Sequence, residues 1–246
     1  MIPELAVDCR LVAPLWLLAY VALYGLISAL TWHYGKGSSE NALVLRLRSW
    51  PHWGTLGRAA RLVSGVGLCY AAIICGVISP MDTGLAGIDW LSGIGKGIGW
   101  GVASFLLLTY FIWGHARGIR GDEPPLSSVR ATWGSPVHGL ARSLADEGLW
   151  AFYRGVSIPW LGRYPGAYVG LALALAIPCL SPWTRAALRQ AGDRETLLLD
   201  VCLAIISTTC YVLTANLWIC LALHALLAAS VSSLLAALPR SRTKST

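Results

Sequence analysis

The sequence predicts an all-α fold, a polytopic integral membrane helical bundle, from three observations. Of its 246 residues 56% are hydrophobic and only 13% are charged, against about 45–50% and about 25% in soluble domains. The apolar residues gather into runs close to the ~20 residues that carry a helix across a ~30 Å hydrocarbon core. These runs are continuous, without the period-two alternation of barrel strands. Together they exclude disorder, a coiled coil and an ordinary water-soluble globule. At this length one bundle is expected, not two separate domains.

Seven spans follow in order. The first is Leu11 to Trp32, free of charge. Its n-terminal flank lacks the early positive charge of a cleaved signal, so it is expected to be retained. The second runs from Leu62 to about Ser79 and the third from about Ile98 to Trp113. The fourth, about Pro136 to Arg154, is less apolar and carries charge. Trp160 to Leu180 forms the fifth, interrupted by Arg163, Pro165 and Pro178. Leu197 to Leu213 and Asn216 to Leu238 complete the set. Residues 1–135 make a three-span region with a cytoplasmic interfacial loop, and 136–246 a four-helix core with a basic tail.

Charge assigns the sides, because cytoplasmic loops concentrate Lys and Arg. The 33–61 loop carries Lys36, Arg46, Arg48, Arg58 and Arg61 against Glu40. The 114–135 loop carries Arg117, Arg120 and Arg130, the 184–196 loop Arg185, Arg189 and Arg194, and the tail Arg240, Arg242 and Lys244. With seven spans all four segments share one face, placing the N-terminus outside and the C-terminus in the cytoplasm of a cell membrane. The net charge of +7 is mostly this topological signal, and no nucleic-acid partner is expected. Arg46, Arg48, Trp50 and Trp53 fit a segment lying on the anionic leaflet, so membrane lipid is the first expected partner.

Several residue types point away from chemistry. The cysteines show neither a C-x-x-C pair nor a Cys–His spacing suited to zinc, and read as buried hydrophobes. No metal or cofactor is expected. Tryptophans near span ends, such as Trp32, Trp113 and Trp183, read as interfacial belts. The stretch SGIGKGIGWG at 92–101 lacks the phosphate-loop order; Gly93, Gly97 and Gly101 recur every four residues and read as a helix-packing stripe.

What remains is a small polar set within apolar spans. Ionisable groups there cost about 2.5–3.5 kcal/mol each on insertion scales, and they normally face the bundle interior. In ADEGLWAFYRG (145–155) Glu147 and Arg154 share a helix face two turns apart, with Trp150 between them. Arg154 meets Glu147 only by reaching back along the helix. Asp146 has Arg142 four residues before it, a pair at the cytoplasmic entry. Asn216 falls in the outer turn before the last span, and His224 lies deep within that span. Asp200 sits near the cytoplasmic start of the sixth. Helix rise places Glu147 roughly 15 Å and His224 roughly 12 Å from opposite faces. That common depth fits either a buried acid/base pair or a structural hydrogen bond between helices.

These segments resemble the CPBP family, which comprises CAAX-prenyl endopeptidases and bacterial relatives linked to bacteriocin processing. DEGLWAFYRG is similar to the family's Glu–Glu–Arg motif through Glu147, Arg154 and Gly155, and NLWICLALHALLA to its last motif through Asn216, Leu217, Trp218 and His224. The resemblance covers about 140–230. Asp146 stands where the family has the first Glu, Ala228 where it usually has Asn, and no His lies between 155 and 223 to supply the middle motif.

Two functions follow. By resemblance, the chain is a divergent intramembrane endopeptidase cleaving a membrane-tethered peptide: Glu147 activates water, Arg154 orients or neutralises Glu147, and His224 stabilises developing charge, supported by Asp146, Asn216 and Trp150. Alternatively it is a catalytically inactive accessory or scaffold subunit of a larger membrane complex, keeping the polar set for packing. Each lost oxyanion donor typically costs about 10²–10³ in rate, which weighs on the first.

Overall fold

The computed structural model describes residues 9–36, 59–118 and 136–237. Expectations for the 41–58 stretch of the interfacial segment, for residues 119–135 and for the basic tail fall outside them. Every regular element among the described residues is helical: α1 (Cys9–Lys36), α2 (Ala59–Ile74), α3 (Pro80–Thr83), α4 (Trp90–Gly118), α5 (Pro136–Leu161), α6 (Arg163–Ala176), α7 (Pro182–Ala187), α8 (Ala191–Thr214) and α9 (Leu217–Ala237). The all-α class is therefore the observed one.

Five segments are long and apolar enough to cross a membrane: Val12–His33, Trp90–Gly114, Arg163–Leu180, Asp193–Thr214 and Leu217–Leu234. Their outward faces carry large apolar side chains, such as Leu15, Leu18, Leu106 and Phe111, a surface that fits a membrane location and is rare on soluble monomers. Two of the seven expected spans are not among the five. α2 is a shorter apolar helix. α5 is long enough, but Arg142, Asp146, Glu147 and Arg154 dilute its hydropathy. The third span begins earlier than expected: residues 90–97 are helical, with Gly93 and Gly97 at packing positions against Ile219.

The chain forms two compact units, each discontinuous in sequence: one within Met1–Gly87 and Leu144–Ala186, the other within Ile88–Ser143 and Ala187–Thr246. The sequence reading divides the chain at 135/136 instead.

In the first unit α5 is the central element. α2 crosses it at very short range: a Cβ on Gly65 would lie 2.1 Å from the Ala145 carbonyl oxygen, and one on Gly148 3.0 Å from the Gly65 oxygen. A π-turn at Val63–Gly67 shapes α2 at this crossing. α5 ends where Pro159 withholds an amide hydrogen and Gly162 turns with φ 79°, a left-handed conformation that glycine adopts without strain. The chain then doubles back as α6, whose Gly166 and Gly170 lie against the backbone of Ile158 and Arg154. Tyr20 of α1 meets Phe152 and Tyr153 edge-on, with ring centroids 6.2 and 6.1 Å apart. At the other end of α1, Trp32 packs on Trp183 at 4.8 Å, and Trp183 Nε1 donates to Thr31 Oγ1.

The second unit is built on α4, α8 and α9. Gly93 and Gly97 accept Ile219, and Gly101 accepts Leu223, with a would-be Cβ as near as 2.5 Å at Gly97. The four-residue glycine stripe is thus the seam between α4 and α9, the small-residue packing that lets membrane helices approach closely. Trp100 Nε1 donates to the Ile206 carbonyl at 2.9 Å and ties α4 to α8.

Candidate functional site

The most buried charges in the described residues are Glu147 and Arg154, each about 1% exposed. Both lie on α5. Seven residues of helix separate their Cα atoms by about 10.5 Å along the axis, too far for most side-chain pairs. Helical side chains lean toward the N-terminus, so the longer one must be C-terminal and reach back. Arg154 does so: its Nη2 lies 3.5 Å from Glu147 Oε2. The reverse order of residues would point the long guanidinium away from the carboxylate.

One glycine contact of the first unit lies at this pair. On α6, a Cβ at Gly170 would lie 2.9 Å from the Arg154 amide nitrogen and 3.1 Å from its Cγ. The α2 crossing at Gly65 meets α5 at Ala145 and Gly148, within one turn of Glu147 but on another side of the helix. Both side chains of the pair are buried from solvent.

Asp146, next to Glu147, takes a partner remote in sequence: Arg61 Nη2 donates to its Oδ1 at 2.8 Å. Arg142 in turn donates to Asp200 within the second unit. Spacing paired Arg142 with Asp146; the structure shows each with a partner on another helix. Asp200 is thus an ion-pair residue of the helix bundle. Trp150 is half-buried on α5.

The remaining expected site residues lie in the second unit. Asn216 is fully buried and caps α9: its Oδ1 accepts from the Trp218 and Ile219 amides at 2.9 and 3.3 Å. It follows Ala215, whose φ of 49° is left-handed, so the outer turn expected here is a tight helix–cap–helix junction. His224 is 2% exposed on α9. Glu147 and Arg154 are brought together on α5; Asn216 and His224 lie in the second unit.

Compared with protein-family models, with curated proteins and with solved structures, the chain matches none. Among the described residues, no three His, Cys, Asp or Glu side chains gather into a metal-ligand set. Arg61 as the partner of Asp146, and glycines 65 and 170 as points of close helix approach, escape sequence reasoning. Their contacts join positions far apart in the chain, and no short-range spacing encodes them.

Proposed function

We propose that the chain is a catalytically inactive, CPBP-like accessory or scaffold protein of a cell membrane, in which Glu147 and Arg154 hold helices and do not perform chemistry. The carrying observation is the burial of both charges, about 1% exposed and 3.5 Å apart, with α6 pressed onto Arg154 at Gly170. A hydrolytic Glu needs water at its carboxylate and a route for the peptide. A sealed ion pair instead fixes partners and register. The sequence agrees: the middle His and the last Asn of the CPBP pattern are replaced. The proposal includes seven crossings, α2 with the turn to Ser79 and the charged α5 being the two beyond the five apolar ones. It places the N-terminus outside and the basic loops in the cytoplasm.

The decisive experiment offers the full chain, reconstituted in vesicles, a membrane-tethered and a prenylated peptide. No turnover above that of Glu147→Gln is expected. Affinity purification of a tagged chain should recover companion membrane subunits, in lower yield for Glu147→Gln. Cleavage by the wild-type chain that Glu147→Gln and His224→Ala both abolish would overturn the proposal and favour an endopeptidase acting on a membrane-tethered peptide.

A further inference from the structure

The second unit carries a cleft of about 390 Å³, lined by Leu106, Thr109, Tyr110, Ile112 and Trp113 of α4 and by Leu234 of α9. Its volume falls in the ~300–1,000 Å³ range of small-molecule sites. The lining places it along the membrane normal. Trp113 lies next to the end of the span Trp90–Gly114, and Leu234 ends the span Leu217–Leu234. Both helices therefore present the cleft at the same end, within one leaflet. Leu106 lies about 12 Å from that span end and Thr109 about 7.5 Å.

One lining atom is polar and unused. Thr109 Oγ1 is shielded from solvent and has no hydrogen-bond partner among the described residues. Buried hydroxyls are normally satisfied, and in helices Thr usually bonds a carbonyl one turn back, as Thr31, Thr209 and Thr214 do here. Charge supplies the other half of the argument. In the sequence both helices lead into basic segments, with Arg117 and Arg120 after α4 and Arg240, Arg242 and Lys244 after α9.

We infer that this cleft binds one anionic glycerophospholipid of the leaflet facing the basic segments. An acyl chain lies along Leu106, Ile112 and Leu234. The ester carbonyl, at the hydrocarbon boundary, accepts from Thr109 Oγ1. The negative headgroup is held by the positive potential of that membrane face, where each nearby basic residue contributes about 1 kcal/mol. This rests on the membrane location proposed above, and goes beyond it by naming a ligand class and a site.

The test reconstitutes the full chain in phosphatidylcholine vesicles doped with a diazirine-acyl phosphatidylglycerol or a diazirine-acyl phosphatidylcholine. Carbonate resistance is checked first; a chain that washes off overturns both the location and the lipid site. After irradiation, adducts of the phosphatidylglycerol probe should concentrate on 106–113 and around Leu234, and unlabelled phosphatidylglycerol should compete them away. Leu106→Trp, which fills the cleft, should lower those adducts several-fold and leave labelling elsewhere unchanged. The near-isosteric Thr109→Val should lower them less and serves if Leu106→Trp does not fold. Identical patterns from the two probes, or adducts indifferent to both substitutions in an inserted chain, would overturn the lipid site while leaving the membrane location standing.

Discussion

Replacing Glu147 by Gln removes the carboxylate that faces Arg154 while conserving its shape. The guanidinium stays charged, since arginine does not deprotonate in proteins, and it is about 1% exposed. Removing one partner of a buried ion pair costs about 3–5 kcal/mol, far more than the pair contributes over an apolar replacement. At about 1.4 kcal/mol per tenfold, that is roughly 10²–10⁴ in the folding equilibrium. The assay is equilibrium unfolding of the full chain in mixed micelles, followed by far-ultraviolet circular dichroism. Arg154→Met should cost a similar amount, because it strands the carboxylate. The double variant Glu147→Gln/Arg154→Met should be less destabilised than the sum of the singles, since neither charge is left behind. Stability of Glu147→Gln within about 0.5 kcal/mol of the wild type, the range of ordinary surface replacements, would refute the reasoning. So would strict additivity in the double variant.

The glycines of the close crossings should rank by what a new methyl group meets. Gly65→Ala, confronting backbone at 2.1 Å, should cost more than Gly97→Ala, which meets the Ile219 side chain at 2.5 Å; overpacking of the second kind typically costs about 1–3 kcal/mol. Gly95→Ala, with nothing within 4 Å, should stabilise by about 0.5–1 kcal/mol through helix propensity; the same unfolding assay ranks all three. Asn216→Ala, which removes the cap of α9, should lose about 1–2 kcal/mol and accelerate amide exchange at Trp218 and Ile219. Asp200→Asn should lose about 1 kcal/mol, between the values for exposed and buried pairs, and an Arg142→Gln background should erase most of that loss.

Hydropathy made the helical class and five of the spans legible, because a lipid-crossing helix states its length and polarity in one contiguous run. It also showed the Gly93, Gly97 and Gly101 stripe, whose period survives in the structure as a seam. It could not show which residues complete Asp146 and Arg142. Both have nearby charges at helical spacing, yet the structure ties them to Arg61 and Asp200, 85 and 58 positions away. The composite units have the same cause. Hydropathy runs along the chain, whereas compactness is decided by contacts such as Gly65 with Ala145 and Gly170 with Arg154. Glu147 and Arg154 were legible as a pair because both the face they share and the direction of reach are local properties of one helix.

The π-turn at Val63–Gly67 makes α2 tolerant of a length change at one place in a way its composition hides. A π-turn holds one residue more than an α-turn. Deleting a single residue there is expected to restore regular winding while the residues beyond keep nearly the same facing. Gly65, Cys69 and Ala72 are the buried positions of this helix. Loss of Ser64 should therefore leave Cys69 and Ala72 on the buried face, whereas a deletion within Leu68–Ile74 would rotate everything after it by about 100°. Length variation in this helix should appear at the π-turn and not in the regular turns that follow.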